Sequence, residues 1–180
     1  MSWITELSVL LAAEFHHRRT IGTLCTVDQN GEPRARMVIV RSLDEATGAV
    51  WIATDSRSAK VAHLNAHPIA ELVFWSGSER QQFRIHGKAH IVRDPHLREE
   101  NWKQMSDATR ATYYWPTPGA PFEEGQAFAD AIPAGLSVPE NYVLVVVEPS
   151  EVESLEINER PHCRRRWREA NAWAEERLNS

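Results

Sequence analysis

Two runs of alternating residues, Ile21 to Val27 and Arg34 to Leu43, flank Asp28-Gln29-Asn30-Gly31-Glu32-Pro33, and no other feature constrains the fold as tightly. A period of two puts successive side chains on opposite faces of a strand, so each run reads as a half-buried strand. The residues between them are turn formers, and Gly31 can take a positive φ, so the strands pair as an antiparallel hairpin. A second turn, Glu45-Ala46-Thr47-Gly48, leads into a third strand over Ala49 to Thr54. A chain that starts this way commits to an antiparallel meander.

Helical spacing is confined to the flanks and joints of that meander. Trp3, Ile4, Leu7, Leu10, Leu11 and Phe15 mark one buried face of a helix over Ser2 to Arg19, with Ser2 as N-cap and Arg18 and Arg19 at the negative end. Asp55-Ser56-Arg57-Ser58 opens a short helix, Ala59 to Ala66, and His67-Pro68 stops it. Ile69 to Trp75 reads as a central strand. Gln81 to Arg93 reads as a long one, with Gly87 a bulge or a point of close approach. Pro95 to Thr109 has helical character, with proline in the first turn. Residues 115–139 contain five of the ten prolines and three of the eight glycines, which excludes regular structure except a short helical piece near Glu123 to Asp130. A loop this long usually serves function. Asn141 to Glu148 and Val152 to Ile157 read as two further strands, and for Trp167 to Leu178 the period leaves strand and helix open.

The sum is α+β: six to seven antiparallel strands with two or three peripheral helices, which predicts a closed or split β-barrel. With 180 residues, one domain over 1–180 is expected, carrying the N-terminal helix (1–19) and the Pro/Gly-rich segment (115–139). A hydrophobic fraction of 42% can build a core. No apolar run approaches the ~20 residues a membrane helix needs, and no charged leader precedes an apolar stretch. Two cysteines cannot make a disulfide scaffold or a four-thiolate zinc site. The expected location is therefore cytoplasmic. A net charge of −5 argues against nucleic acid as a partner.

The phosphate-loop, dinucleotide and nucleophile-elbow glycine motifs are absent. His63 with His67, and His86 with His90, have ligand spacing but no carboxylate suitably placed, so no metal is expected. Cys25 reads as a small buried hydrophobe, and Cys163 lies among cations.

The cations are more informative. Alternation puts Arg34, Arg36, Val38 and Val40 on one strand face and Ala35, Met37, Ile39 and Arg41 on the other, so whichever face is inward carries a cation. Either these are solvated strand ends, or the guanidinium groups receive an anion. Thr54-Asp55-Ser56-Arg57-Ser58-Ala59-Lys60 is a strand-to-helix junction with hydroxyls and two cations. Alone it reads as a helix cap; with Arg36 one hairpin earlier it begins to resemble a phosphate site. In Glu79 to Ala89, a glutamine amide can meet a heterocycle edge. Arg160 to Trp167 is by itself a basic run among glutamates.

In this order the pieces resemble the pyridoxamine 5′-phosphate oxidase superfamily of FMN-binding split barrels, from about Gly22 to the C-terminus. The matching motifs are R-x-V-x-x-[KR] as Arg36 to Arg41, Thr54, Ser58 and Lys60, Q-x-x-x-x-G-K-A as Gln82 to Ala89, R-x-H-x-R as Arg160, His162 and Arg164, and Trp173 with Arg177-Leu178. The resemblance implies FMN in sites at a homodimer interface. It implies that Arg36, Ser58 and Lys60 hold the FMN phosphate, with Thr54 and Arg57 nearby and Met37, Val38 and Ile39 in the same motif. Gln82 would contact the flavin ring and Arg164 its N1/C2 edge. Arg41, Arg160 and His162 match substrate-contacting positions, and Arg110 is a further candidate. Ala59 stands where the family usually has arginine, and Trp115-Pro116-Thr117-Pro118-Gly119 replaces its Gln-Ser pair. The family's stacking tryptophan falls near Ser154 or Leu155. The implied activity is oxidation of a small, B6-like phosphate by hydride transfer to flavin N5. The alternatives are an FMN-dependent reductase with a nicotinamide donor and a non-catalytic FMN-binding protein. No catalytic acid or base is visible.

Overall fold

The hairpin forms where the alternation places it. In the computed structural model, which describes residues 2–16, 19–132 and 137–180, β1 (Ile21–Val27) pairs antiparallel with β2 (Pro33–Leu43), Leu24 facing Arg36. Gly31 has φ +82°, and Asp28 Oδ1 accepts from the amides of Asn30 and Glu32 across the turn. β3 (Val50–Asp55) pairs with β2 through a bulge at Arg41, where the register slips between Val40 and Ser42. β4 (Ile69–Ser76), β5 (Gln81–Val92), β6 (Tyr142–Glu156), β7 (Cys163–Arg168) and β8 (Glu176–Leu178) complete one sheet, in the order β3-β2-β1-β4-β5-β6-β7-β8.

β6 closes it. Its first half pairs with β3 and with β5, so Val147 lies between Val50 and Ala89, and six strands form a barrel. Its second half runs on to carry β7 and β8 outside the ring. The two strands expected over 141–157 are thus one. The register slips opposite Gly87, where a Cβ would sit 1.9 Å from the Glu148 carbonyl oxygen, so only glycine lets the strands approach.

The helices are α1 (Ser2–Phe15), α2 (Ala59–Ala66), α3 (Pro95–Lys103) and α4 (Asp107–Ala111). Trp3, Ile4, Leu7, Leu10 and Leu11 of α1 join the barrel core, and Trp3 packs on Trp173 at 5.6 Å. Gly48, at φ +77°, lies so close to the Trp3 ring that a side chain there would collide with it. α1 stops at Phe15, short of the expected Arg19, and Arg18 lies outside the described residues. The helix expected over 95–109 is two, because Ser106 accepts from the Thr109 amide and starts a new one. No helix forms over Glu123 to Asp130, and residues 133–136 of that segment lie outside the described residues. The C-terminal stretch left open is β7, a 3₁₀ turn (Glu169–Asn171) and β8. Cys25 sits half-buried beside Glu71 on the outward sheet face, not in the core, because Leu24 and Thr26 take the inward positions.

Candidate functional site

Val38 and Val40 point β2's inner face into the core, and Arg36 follows them at the mouth of the barrel. Its Nη1 donates to the Leu24 carbonyl at 3.1 Å and to Thr26 Oγ1 at 2.7 Å. Thr26, 2% exposed, has its hydroxyl 3.0 Å from His63 Nδ1 on α2. Across the mouth, Lys60 in the first turn of α2 donates to Thr54 Oγ1 at 3.0 Å and to Ser58 Oγ at 2.9 Å. Ser58 is the α2 N-cap by position, yet its side chain makes no cap bond; its hydroxyl donates to the Asp55 carbonyl at 2.7 Å.

Among the described residues, no carboxylate pairs with Arg36 or Lys60. Burial, and then the Arg36 charge, push the Lys60 ammonium below its ordinary pKa; burial does the same to Arg36. Asp55, engaged by Arg57 and Asn141, offsets this only in part at Lys60, and two partly buried cations that no carboxylate bonds are costly unless an anion joins them. The donor set, two cations with the Thr54 and Ser58 hydroxyls at a helix start, suits a phosphate monoester such as the end of FMN.

Arg57 does something else. Although burial works the other way, hydrogen bonds from Arg57 and Asn141 hold the Asp55 carboxyl below the usual carboxylate range. Arg57 Nη2 lies 2.6 Å from Asp55 Oδ2 and donates to the Trp115 carbonyl at 3.0 Å. It clamps the loop after α4 to the β3–α2 junction.

A cavity of about 500 Å³ brings together Met37, Val38, Ile39, Arg41, Thr54 and Lys60, with Arg19, Thr109 and Tyr113 on its other walls. Arg41, at the β2 bulge, reaches the α3–α4 connection, where Nη2 meets Met105 Sδ at 3.1 Å, and its Nε is buried without a partner among the described residues. Tyr113 and Tyr142 stack edge-on at 5.0 Å against Trp102. Burial, with Tyr142 alongside, raises the Tyr113 phenol, and burial pushes Tyr142 up to about 12, so both are neutral hydrogen-bonding groups at ordinary pH. A second cavity of about 450 Å³ shares Ala53, Thr54, Thr112 and Tyr113 with the first and is walled by Trp115, Phe122 and Phe128.

The remaining expected residues lie elsewhere. Gln82 faces Leu155, which faces Arg164, so these three side chains form a row on the outward face of β5, β6 and β7. Arg164 pairs with Glu153 at 2.6 Å. Arg160 is exposed in the β6–β7 connection, and the His162 carbonyl accepts from Arg177 at 3.1 Å. Of the R-x-H-x-R motif only Arg164 lies on a strand: β7 begins at Cys163, because Pro161 has no amide to join the ladder, and Arg160 and His162 precede it. Arg110 donates to the Met105 and Lys103 carbonyls at 2.9 and 3.3 Å, capping the end of α3. Sequence reasoning missed Thr26, and considered His63 only as a metal ligand; the hairpin register beside Arg36 is the signal for the first. Among the described residues, no three His, Cys, Asp or Glu side chains cluster as a metal site.

The family model described as pyridoxamine 5′-phosphate oxidase matches residues 11–156. The sequence is 32% identical to pyridoxine/pyridoxamine 5′-phosphate oxidase 2 of Arabidopsis thaliana over 143 residues, 74% of this chain and 72% of that one. It is 30% identical to the pyridoxine/pyridoxamine 5′-phosphate oxidase of Pseudomonas syringae pv. tomato over 170 residues, 87% and 76% of the two chains. A 72-residue match to the Azorhizobium caulinodans enzyme reaches 47% identity but covers only 40% of this chain and 33% of that enzyme. Among solved structures, a pyridoxamine 5′-phosphate oxidase-related, FMN-binding protein from Nostoc punctiforme superposes with a TM-score of 0.90 at 27% identity, covering 100% of this chain and 98% of the other. PhzG from Burkholderia lata, solved with tetrahydrophenazine-1-carboxylic acid, shares the fold at a TM-score of 0.81 and 22% identity, covering 98% and 92%.

Proposed function

The chain belongs to the pyridoxamine 5′-phosphate oxidase family, and from that premise we propose that it is an FMN-dependent oxidoreductase. Arg36, Lys60, Thr54 and Ser58 would hold the FMN phosphate. The observation that carries this reading is the pair of cations, Arg36 and Lys60, left without carboxylates and joined to two hydroxyls. Bound there, FMN would supply two-electron redox chemistry, accepting a hydride equivalent at N5 from a small substrate. Met37, Val38 and Ile39, which line the same cavity, would exclude water from the cofactor, and Arg41 and Tyr113 would meet the second ligand.

All 180 residues would act as one domain, and as a homodimer. The outward face supports the second copy: Met37 and Trp75 are 65% and 50% exposed there, and Trp75 faces Gln82 at the end of the Gln82–Leu155–Arg164 row. In such a dimer Gln82 and Arg164 would reach the flavin, and Arg160 and His162 the substrate, across the interface. No described helix is long and apolar enough to cross a membrane.

A B6-like phosphate is the first substrate reading. One observation favours a different small molecule: Arg110 is committed to backbone carbonyls, and Trp102 is buried among tyrosines, so the helices above the cavity offer no free phosphate donor set. The test is FMN added to apoprotein, read by quenching of flavin fluorescence, followed by anaerobic bleaching with pyridoxamine phosphate, NADH or NADPH in turn. Absence of quenching would end the FMN reading. Bleaching by a nicotinamide alone would select the reductase, and bleaching by none would leave a binding protein.

A further inference from the structure

Behind Arg36 runs a hydrogen-bond chain that cofactor binding by Arg36 and Lys60 does not by itself require. A guanidinium only donates, so at 2.7 Å the Thr26 hydroxyl accepts from Arg36. That hydroxyl has one proton of its own, is buried, and has His63 Nδ1 3.0 Å away as its other neighbour. If Nδ1 carried a proton, Thr26 would accept twice and its own proton would be buried without an acceptor among the described residues. The chain is satisfied in one way: His63 Nδ1 accepts from Thr26, and Thr26 accepts from Arg36.

The geometry at Arg36 gives the chain a purpose. Both of its internal bonds, to Leu24 and to Thr26, use Nη1. The Nε–Nη2 edge, the fork that matches two oxygens of a phosphate, has no acceptor among the described residues. Holding Nη1 on Leu24 and Thr26 therefore leaves the other edge available to an anion, and the Arg36 charge is close enough to act on Lys60. His63 lies on α2, one turn after Lys60, so one short helix both supplies the second cation and braces the first. His63 also lines a cavity of about 250 Å³ with Asp28, Gln29, Asn30, Ala62 and Ala66.

We infer that Thr26 and His63 are the positioning residues of Arg36, with His63 a neutral Nδ1 acceptor that fixes the guanidinium edge towards the phosphate. The inference rests on reading the Arg36–Lys60 pocket as the phosphate end of the FMN site. Neither residue touches the anion; both act through Arg36.

The experiment compares FMN and riboflavin affinities of the whole apoprotein by fluorescence quenching, since the two ligands differ only in the phosphate. Wild-type protein that binds both equally would overturn the underlying phosphate reading. Given a preference for FMN, Thr26→Val and His63→Leu should each weaken FMN about tenfold and leave riboflavin unchanged. Thr26→Ser and His63→Gln, which keep a hydroxyl and an acceptor, should return FMN affinity to within about twofold of wild type. Unchanged FMN affinity in the first pair, or equal loss of FMN and riboflavin, would overturn the positioning role. Failure of the conservative pair to rescue would do the same. Nitrogen NMR of the unmutated protein supplies a reading independent of variant folding: Nδ1 unprotonated and Nε2 protonated is expected, and a proton on Nδ1 would sink the inference.

Discussion

The mouth of the barrel and the outer strand β7 are both rich in arginine and lysine, but they treat the charge in opposite ways. In β7 every arginine has a carboxylate: Arg164 pairs with Glu153, Arg165 with Glu6, and Arg166 and Arg168 with Glu176. At the mouth, among the described residues, Arg36 and Lys60 hydrogen-bond to hydroxyls and one carbonyl and to no carboxylate. The first arrangement is neutralised within the chain, and Arg164 would meet the flavin only as an already paired cation. The second stays electrostatically incomplete until an anion joins it. Unpaired charge, and not abundance of charge, is what marks the candidate site.

The largest expected effect tests what β7 is for. Trp167 is fully buried in the barrel core, so Trp167→Ala should cost about 3–5 kcal/mol of unfolding free energy in a denaturant titration. The FMN affinity of the protein that remains folded should not change. If FMN were lost while stability held, the core-facing side of β7 would belong to the site and the contrast would break. Next in size, Lys60→Ala and Arg36→Ala should each lower FMN affinity about 100-fold, roughly 2.7 kcal/mol, and leave riboflavin within about threefold. Equal losses for both flavins would remove phosphate recognition from the mouth.

A smaller effect follows from pH. Burial and Arg36 depress the Lys60 pKa, so the ammonium loses its proton at lower pH than an ordinary lysine would. In apoprotein the sign is a penalty: charged Lys60 disfavours the folded state, and the penalty eases as pH rises from the depressed value towards the ordinary one near 10.4. Binding reverses the sense, because the phosphate needs the proton on Lys60. FMN affinity should therefore fall with rising pH by no more than about one decade per unit, over a window below the ordinary lysine range. Riboflavin should follow no such slope. A flat FMN profile there would mean that Lys60 does not meet the phosphate.

How much of this could be read in advance differs between the two regions for a physical reason. The barrel strands follow from alternation and turn residues, which are local, and Gly87 announced its close approach because a missing side chain is visible in sequence. Arg36, Thr54, Ser58 and Lys60 come together because the hairpin register and the short α2 helix are also local. The parts that could not be read depend on pairing across distance. Arg57 carries the same charge as Lys60, yet Asp55 and the Trp115 carbonyl claim it. Arg110 is claimed by carbonyls at the end of α3, a helix whose break at Ser106 sequence periodicity does not reveal. Thr26 and His63 meet only once α2 is laid against β1. Sequence reveals where cations are, and the fold decides which have already been neutralised.

The last and smallest effect is the control that gives the others their meaning. Arg166 is half-buried on the outward face of β7, between Glu153 of β6 and Glu176 of β8 in the register, with its guanidinium 3.0 Å from Glu176. Donating hydrogen bonds to Glu176 is what raises its pKa, so its charge is already spent inside the sheet. Removing it leaves Glu176 beside Arg168, 3.3 Å away, which can take over the pairing. Exposed ion pairs of this kind are worth little, because water solvates both partners once they separate. Arg166→Ala should accordingly leave the midpoint of a denaturant titration nearly unchanged and the FMN and riboflavin titrations where they were. If that one substitution weakened FMN as much as Lys60→Ala, paired and unpaired cations would be equivalent for flavin binding. The distinction between the barrel mouth and β7 would then carry no information about where the cofactor lies.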